Sequence, residues 1–248
     1  MHKIIFKLSF ILLFIFVSGE ISGGSDVSEE FKRRINKGLQ FYNSVDSYQY
    51  TLQKKEWLGL KYIDQTILFK FKKPFKVYLK VLKGEDKGSQ VIYIKGWNSG
   101  EARVKTRFFT FNLDPGGSLM LSTNRHPLFE VGLGNILTGT LQDIVLGQQN
   151  GDMTLTYLGK KTVGLRTSHA YEIIFPVSKS KRGRRTMDRK PGQYYAPRVQ
   201  LWLDTKNSLP LRFRIWDRYK RLVEDYIHTD LRLNHLTDLD FNPIIYKF

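Results

Sequence analysis

Apolar and polar residues alternate with a period of two in two parts of the chain, residues 47–111 and 153–233. The clearest example is RVQLWLDTKNSLPLRFRIW, residues 198–216, where a turn separates two alternating runs. Successive side chains leave a β-strand on opposite sides, so the pattern predicts antiparallel strands with one buried face. The residues predicted to share this face are Val199, Leu201, Leu203, Leu211, Phe213 and Ile215.

The first alternating part contains several short runs of the same kind. Pro74 separates two of them, and a turn at residues 98–100 joins two more as a hairpin. The apolar positions of the three earliest runs are Tyr48, Tyr50, Leu52, Ile67, Phe69, Phe71, Phe75, Val77, Leu79 and Val81. Both alternating parts are therefore predicted to form one antiparallel sheet.

Two segments have helical spacing instead. In residues 28–45, Phe31, Ile35 and Leu39 recur every fourth position and predict a helix with one apolar stripe, capped by Asp26 or Ser28. The segment 127–145 begins with Pro127, a favoured first residue of a helix. Its predicted apolar face consists of Phe129, Leu133, Ile136, Leu137, Leu141 and Ile144.

Three glycines in the second predicted helix, Gly132, Gly134 and Gly139, weaken it, because a glycine inside a helix costs about 1 kcal/mol relative to alanine. Such glycines are typical of a close approach to a neighbouring segment or to a ligand.

The first 19 residues have the pattern of a secretory signal peptide: Lys3 and Lys7, an apolar run over residues 8–17, then Ser18 and Gly19. The apolar run is shorter than the roughly 20 residues that a membrane-spanning helix needs. We predict a signal peptide at 1–19, a flexible segment at 20–27 and a single domain at 28–248. The exported protein is expected to be soluble, and it contains no cysteine for a disulfide, a thiolate metal site or a lipid anchor.

The formal net charge of +17 indicates an acidic partner. Export and the lack of a recognition motif argue against nucleic acid. An anionic membrane surface would fit, with contacts from Arg182, Arg184 and Arg185 in the basic segment SKSKRGRRTMDRK. The alternatives are that the charge serves only solubility and that this segment is a mobile, solvated loop.

Three stretches, NSVDSYQYTL, FKFKKPFKVYLKV and VQLWLDTKNSLPLRFRIWD, resemble the LolA/LolB-like superfamily of exported lipid and lipoprotein carriers. This superfamily also includes a sigma-factor regulator domain and mycobacterial lipid-binding lipoproteins. Within it, NRHPLFEVGLGNIL and LTDLDFNPIIYKF are similar to an uncharacterised bacterial family of domains of unknown function. The resemblance implies a mainly β (α+β) fold, in which a curved antiparallel sheet forms an incomplete barrel with helices on its concave face.

The resemblance also implies that lipid or lipoprotein acyl chains bind between sheet and helices, in a carrier or holder of the cell envelope. The envelope compartment would be the periplasm if an outer membrane is present. The cavity is expected to be lined by Phe69, Phe71, Val77, Leu79, Leu133, Leu137, Phe213 and Ile215. The alternative is a sensing or scaffolding module of the same fold that binds an envelope protein.

Residues suited to catalysis are few. Arg125, His126 and Glu130 form one compact polar cluster, interpreted as capping the second helix and tying it to the sheet. Four further polar residues, Glu224, Asp225, His228 and Asp230, are predicted on the exposed face of a strand. No G-x-S-x-G, H-E-x-x-H or phosphate-binding motif is present, so the sequence predicts no catalytic residue, metal or cofactor, and an enzyme is the weaker interpretation.

Overall fold

A computed structural model describes residues 23–181 and 189–248. The predicted signal peptide and the basic residues Arg182, Arg184 and Arg185 lie outside the described residues.

One antiparallel sheet organises the described part of the chain. Its eleven strands are β1 Ser47–Leu58, β2 Lys61–Lys72, β3 Lys76–Gly84, β4 Gln90–Ile94, β5 Ala102–Lys105, β6 Thr110–Leu113, β7 Thr154–Val163, β8 Arg166–Ile174, β9 Arg198–Asp204, β10 Pro210–Trp216 and β11 Leu222–Leu233. The spatial order is β6-β5-β4-β3-β2-β1-β11-β10-β9-β8-β7. Because β6 and β7 remain edge strands, the curved sheet is not closed into a barrel, which confirms the predicted fold class.

Two α-helices pack on one face of this sheet. They are α1, Gly23–Ser44, and α2, Leu133–Asn150. The apolar stripe of α1, with Phe31 and Ile35, joins the same core as Leu133 and Ile144 of α2. Inward-facing side chains of both alternating parts complete this core, so the helices cover the face that the period-two pattern predicts to be buried.

Both helices begin at residues other than those predicted. Helix α1 begins at Gly23, inside the segment 20–27 that was predicted to be flexible. Helix α2 begins at Leu133 and not at Pro127, since Gly132 has φ 114° and ψ 163°, which no helical residue adopts. Residues 128–130 form a separate 3-10 turn, and its Phe129 is 43% exposed instead of belonging to the apolar face.

Gly134 explains how closely the two helices approach. A Cβ at this position would lie 2.4 Å from the Tyr42 ring of α1, so only glycine fits. The expectation of a close approach to a neighbouring segment therefore holds at Gly134.

The predicted register is wrong at Leu211. The pairing of β9 and β10 shifts between Pro210, opposite Leu203, and Arg212, opposite Trp202, so Leu211 is the extra residue of a bulge. Leu211 is buried against Trp202 and Ala170 on the outer face of the sheet, whereas Phe213 and Ile215 face the core as predicted.

Several connections leave the sheet at one end of its strands. Leu58 pairs with Lys61, Glu56 with Glu224, and Lys105 with both Gln90 and Thr110. Gly84, the last residue of β3, pairs with Gln65 near the start of β2, so the β1–β2, β3–β4, β5–β6 and β10–β11 turns lie at the same end, which we call the hairpin end. Ile174, the last residue of β8, pairs with Arg198 at the start of β9, so this end of β8 lies at the hairpin end. The β7–β8 turn, which precedes β8, therefore lies at the opposite end.

Candidate functional site

A cavity of about 410 Å³ lies between the sheet and α2. Its apolar wall includes Tyr50, Leu52, Ile67, Phe69, Leu79, Ile136, Ile173, Phe175, Val199 and Phe213. Residues of α2 border it on the other side, among them Asn135, Gly139 and Gln142. Most of the wall comes from inward-facing positions of the strands, so the period-two pattern itself creates this apolar surface.

Three of the eight residues predicted to line the cavity do so: Phe69, Leu79 and Phe213. The other five, Phe71, Val77, Leu133, Leu137 and Ile215, are at most 3% exposed and belong to the packed core.

The five core residues are in contact with other side chains, whereas the residues that line the cavity face unfilled space. The Phe71 ring stacks on Tyr48 with centroids 4.9 Å apart, and Leu137 packs against Gly38 of α1. A sequence pattern identifies the inward face of each strand, but it does not locate the part of that face that protein atoms leave uncovered.

Polar side chains form another part of the cavity wall, near the hairpin end of β1. Lys54 Nζ donates hydrogen bonds to Asn124 Oδ1 at 2.6 Å and to the Thr123 carbonyl at 3.2 Å. It also lies 3.2 Å from Glu56 Oε2. The Tyr226 hydroxyl donates to Glu56 Oε1. Burial and the Glu56 carboxylate raise the pKa of Tyr226, so this hydroxyl keeps its proton.

A second polar group centres on Glu224, which is fully buried. Its carboxylate accepts hydrogen bonds from Arg125 Nε at 2.8 Å and from the Tyr195 hydroxyl at 2.6 Å. His126 Nε2 lies 3.0 Å from the other carboxylate oxygen. Burial alone would raise the pKa of Glu224, but the charges of His126 and Arg125 hold it well below its usual range.

These contacts correct two predictions. Glu224 and His228 are buried and face the helices, and Asp225 is buried on the outer face, where Arg212 and Arg214 contact its carboxylate. Of the four strand residues predicted to be exposed, only Asp230 is exposed. Arg125 and His126 bind Glu224 of β11, so they tie the segment before α2 to the sheet as predicted, but they do not cap α2, whose N-cap makes no side-chain hydrogen bond.

A third polar group connects α2 to the segment before β9. Asp143 Oδ1 lies 2.5 Å from an Arg189 guanidinium nitrogen, and Asp143 Oδ2 accepts from the Tyr195 backbone N–H at 3.1 Å. Burial raises the pKa of Asp143 to about 6, although Arg189 opposes the shift. Lys181 Nζ lies 3.7 Å from the centroid of the Tyr195 ring. Two basic residues that flank residues 182–188 thus sit at the polar part of the cavity.

Two buried carboxylate oxygens in the cavity wall, Glu56 Oε2 and Glu130 Oε2, accept no hydrogen bond from the described residues. Lys54 is near Glu56 Oε2, but the contact lacks the geometry of a hydrogen bond. Buried polar atoms normally have partners, so both oxygens are unsatisfied acceptors just behind the cavity surface.

In residues 23–181 and 189–248, no cluster of acidic and histidine side chains is arranged to hold a metal ion. None of the helices within these ranges is both long and apolar enough to cross a bilayer.

Comparison with known proteins identifies the family. A family model described as "Protein of unknown function (DUF1571)" matches residues 45–247, most of the chain. The chain belongs to the DUF1571 family. No curated protein sequence matches it.

Solved structures similar to this DUF1571 chain include the Mycobacterium tuberculosis lipoprotein LppX. The TM-score is 0.51 at 15% identity, covering 84% of this chain and 97% of LppX. A LolA superfamily protein from Nitrosomonas europaea gives 0.39 at 12% identity, covering 85% and 96%. The Pseudomonas aeruginosa MucA/MucB complex gives 0.45 at 13% identity, covering 88% and 60%. The match to LppX shows a shared fold, and the DUF1571 match confirms the predicted family of domains of unknown function.

Proposed function

We propose that this protein binds an amphiphile, with acyl chains in the apolar part of the cavity and the head group at the polar part. The observation that carries the proposal is the cavity itself, an apolar wall of strand residues continuous with buried charged groups. Its volume of about 410 Å³ lies within the usual range for small-molecule sites. Phe69, Leu79 and Phe213 are the predicted ligand-binding residues that border it.

Burial of the acyl chain would supply most of the affinity. Each methylene group transferred from water to an apolar site contributes about 0.8 kcal/mol, which corresponds to about a fourfold gain in affinity. This driving force requires no catalytic residues, only apolar surface that protein atoms do not already cover.

The polar part of the wall favours a head group with hydrogen-bond donors, such as an amide, a hydroxyl or an ammonium group. Glu56 Oε2 and Glu130 Oε2 are acceptors without hydrogen-bond partners in the described chain. A carboxylate or phosphate placed against Glu130 would be repelled, because buried like charges disfavour each other, whereas Glu56 is already paired with Lys54.

The cellular role we propose is that of a carrier or holder in the envelope. The signal-peptide pattern at residues 1–19 would direct export, to the periplasm where an outer membrane is present. The remaining chain from residue 28 would act as one domain.

Displacement of a fluorescent fatty-amide probe, whose head group is uncharged, by a series of N-acyl amides of increasing chain length tests the proposal. We expect the affinity to rise about fourfold per methylene and then level off when the cavity is full. Affinity that is independent of chain length, or no displacement by any amphiphile, would contradict acyl binding. The protein-binding scaffold would then be the better interpretation.

A further inference from the structure

Two adjacent phenylalanines project from the β5–β6 turn at the hairpin end. Phe108 is 75% exposed and Phe109 is 71% exposed. The turn that carries them is closed by hydrogen bonds: the Thr106 backbone N–H donates to the Phe109 carbonyl at 2.8 Å, and the Thr106 side-chain oxygen accepts from the Phe109 N–H at 3.1 Å. Two large apolar side chains are therefore held in solvent by an ordered turn.

The same hairpin is basic. Residues 102–113 contain Arg103, Lys105 and Arg107 and no acidic residue. Arg103 bonds to the neutral Asn112, and Lys105 donates to the carbonyl oxygens of residues 246 and 247, so neither partner removes the positive charge. The Arg107 guanidinium lies 5.4 Å from the centroid of the Phe108 ring.

Two other turns at the hairpin end also expose an apolar residue beside basic ones, but there Lys61 is ion-paired with Glu85 of the β3–β4 turn and Arg221 with Asp217, so the free positive charge comes chiefly from the β5–β6 hairpin. In the β1–β2 turn, Leu60 is 97% exposed and precedes Lys61. In the β10–β11 turn, Tyr219 is 71% exposed and lies between the guanidinium groups of Arg218 and Arg221, at 6.0 and 5.2 Å from its ring centroid.

We propose that the hairpin end docks on the surface of an anionic lipid bilayer, with Phe108 and Phe109 inserted among the headgroups and Arg107 next to lipid phosphates. Aromatic rings favour the membrane interface, and each basic residue near an anionic surface contributes about 1 kcal/mol. The apolar residues are spread over the tips of three separate turns and do not line one groove. A fluid surface can accommodate separate tips of this kind, whereas a folded protein partner would need a continuous matching surface.

Docking in this orientation would place the polar part of the cavity toward the bilayer, because Lys54 and Glu56 lie near the hairpin end of β1. The inference does not depend on which amphiphile the cavity binds.

Co-sedimentation of the purified protein with vesicles tests the docking. The vesicles are phosphatidylglycerol mixed with phosphatidylcholine, or phosphatidylcholine alone, each across a salt series. We expect Phe108→Ser/Phe109→Ser to bind the anionic vesicles at least tenfold more weakly than the unmodified protein. Arg107→Gln should weaken binding to anionic vesicles and reduce its salt dependence. The matched control is Leu165→Ser. Leu165 is fully exposed in the β7–β8 turn at the opposite end, so we expect this variant to bind as the unmodified protein does.

A second measurement locates the contact directly. With Phe108→Trp, we expect the fluorescence to shift to shorter wavelength and to be quenched by brominated lipids in anionic vesicles. Equal binding by the double serine variant and the unmodified protein, or a bound Phe108→Trp protein without quenching, would overturn the proposal. Failure of the unmodified protein to bind either vesicle would also overturn it. A loss of binding only in Arg182→Gln/Arg184→Gln/Arg185→Gln would assign the contact to the basic segment. Acyl binding to the cavity is measured without vesicles, so either proposal can fail alone.

Discussion

Gly139 offers a way to fill the cavity without disturbing the fold. It lies inside α2 and borders the cavity, and a Cβ at this position would have no neighbouring atom within 4 Å. Gly134, one and a half turns earlier, has no such space because of Tyr42. In Gly139→Leu, the new side chain would therefore occupy space available to a ligand.

The expected effect follows from the size of the leucine side chain. Its four carbon atoms displace about four methylene groups of a bound acyl chain, which removes on the order of 3 kcal/mol of binding free energy. This loss corresponds to a decrease in affinity of about a hundredfold. The free energy of unfolding should stay the same or rise by up to about 1 kcal/mol, since leucine is a much better helix former than glycine.

Probe displacement and urea denaturation measure the two quantities separately. The matched control is Gln149→Leu, which adds the same side chain at an exposed position of α2 away from the cavity. We expect this control to bind as the unmodified protein does. If Gly139→Leu binds with unchanged affinity and is stably folded, the ligand does not occupy this cavity and the reasoning is wrong.

Two further predictions concern the buried polar groups. Glu224→Gln should lower the free energy of unfolding by about 3–5 kcal/mol, because it leaves the buried Arg125 without its counter-charge. The control Asp217→Asn removes a pair with the exposed Arg221 and should change the free energy of unfolding little in the same urea titration. Burial lowers the pKa of His228 to about 4. The unfolded chain therefore binds a proton that the folded chain does not between about pH 6.5 and 4, and stability should fall as the pH falls, by on the order of 2 kcal/mol from pH 7 to 5. His228→Gln should flatten this dependence, and an unchanged slope would count against a neutral buried histidine.

The strands and the core face were largely predictable, because alternation is a local property of the chain. Phe69, Leu79 and Phe213 face inward as their registers predict. The position of the cavity was not predictable, since it depends on where the two helices fail to fill the space above the sheet.

Strand β11 shows why the polar part of the site was missed. Its apolar residues Val223, Ile227 and Leu231 fall on odd positions, so a regular strand would expose Glu224, His228 and Asp230. The pairing shifts between Leu222 and Glu224, and again near Asp230, which has φ 55°. Between these two irregularities the even residues Glu224 and His228 face inward, whereas Ile227 packs on the outer face.

The contacts of Glu224 could not be found from spacing either. Arg125 is 99 residues away along the chain, and it reaches Glu224 because the segment before α2 contacts β1 and β11 near the hairpin end. The sequence contains one signal, the clustering of Arg125, His126 and Glu130. It indicates a polar site but does not reveal which strand these residues contact.

Native mass spectrometry of the protein purified from its own cell envelope, followed by extraction and identification of what is bound, tests the central claim most directly. We expect one acylated amphiphile per chain in the unmodified protein, with an amide, hydroxyl or ammonium group in its head. In Gly139→Leu, we expect the mass of this ligand to be absent. An empty chain that copurifies with one envelope protein, or a bound ligand retained by Gly139→Leu, would contradict it.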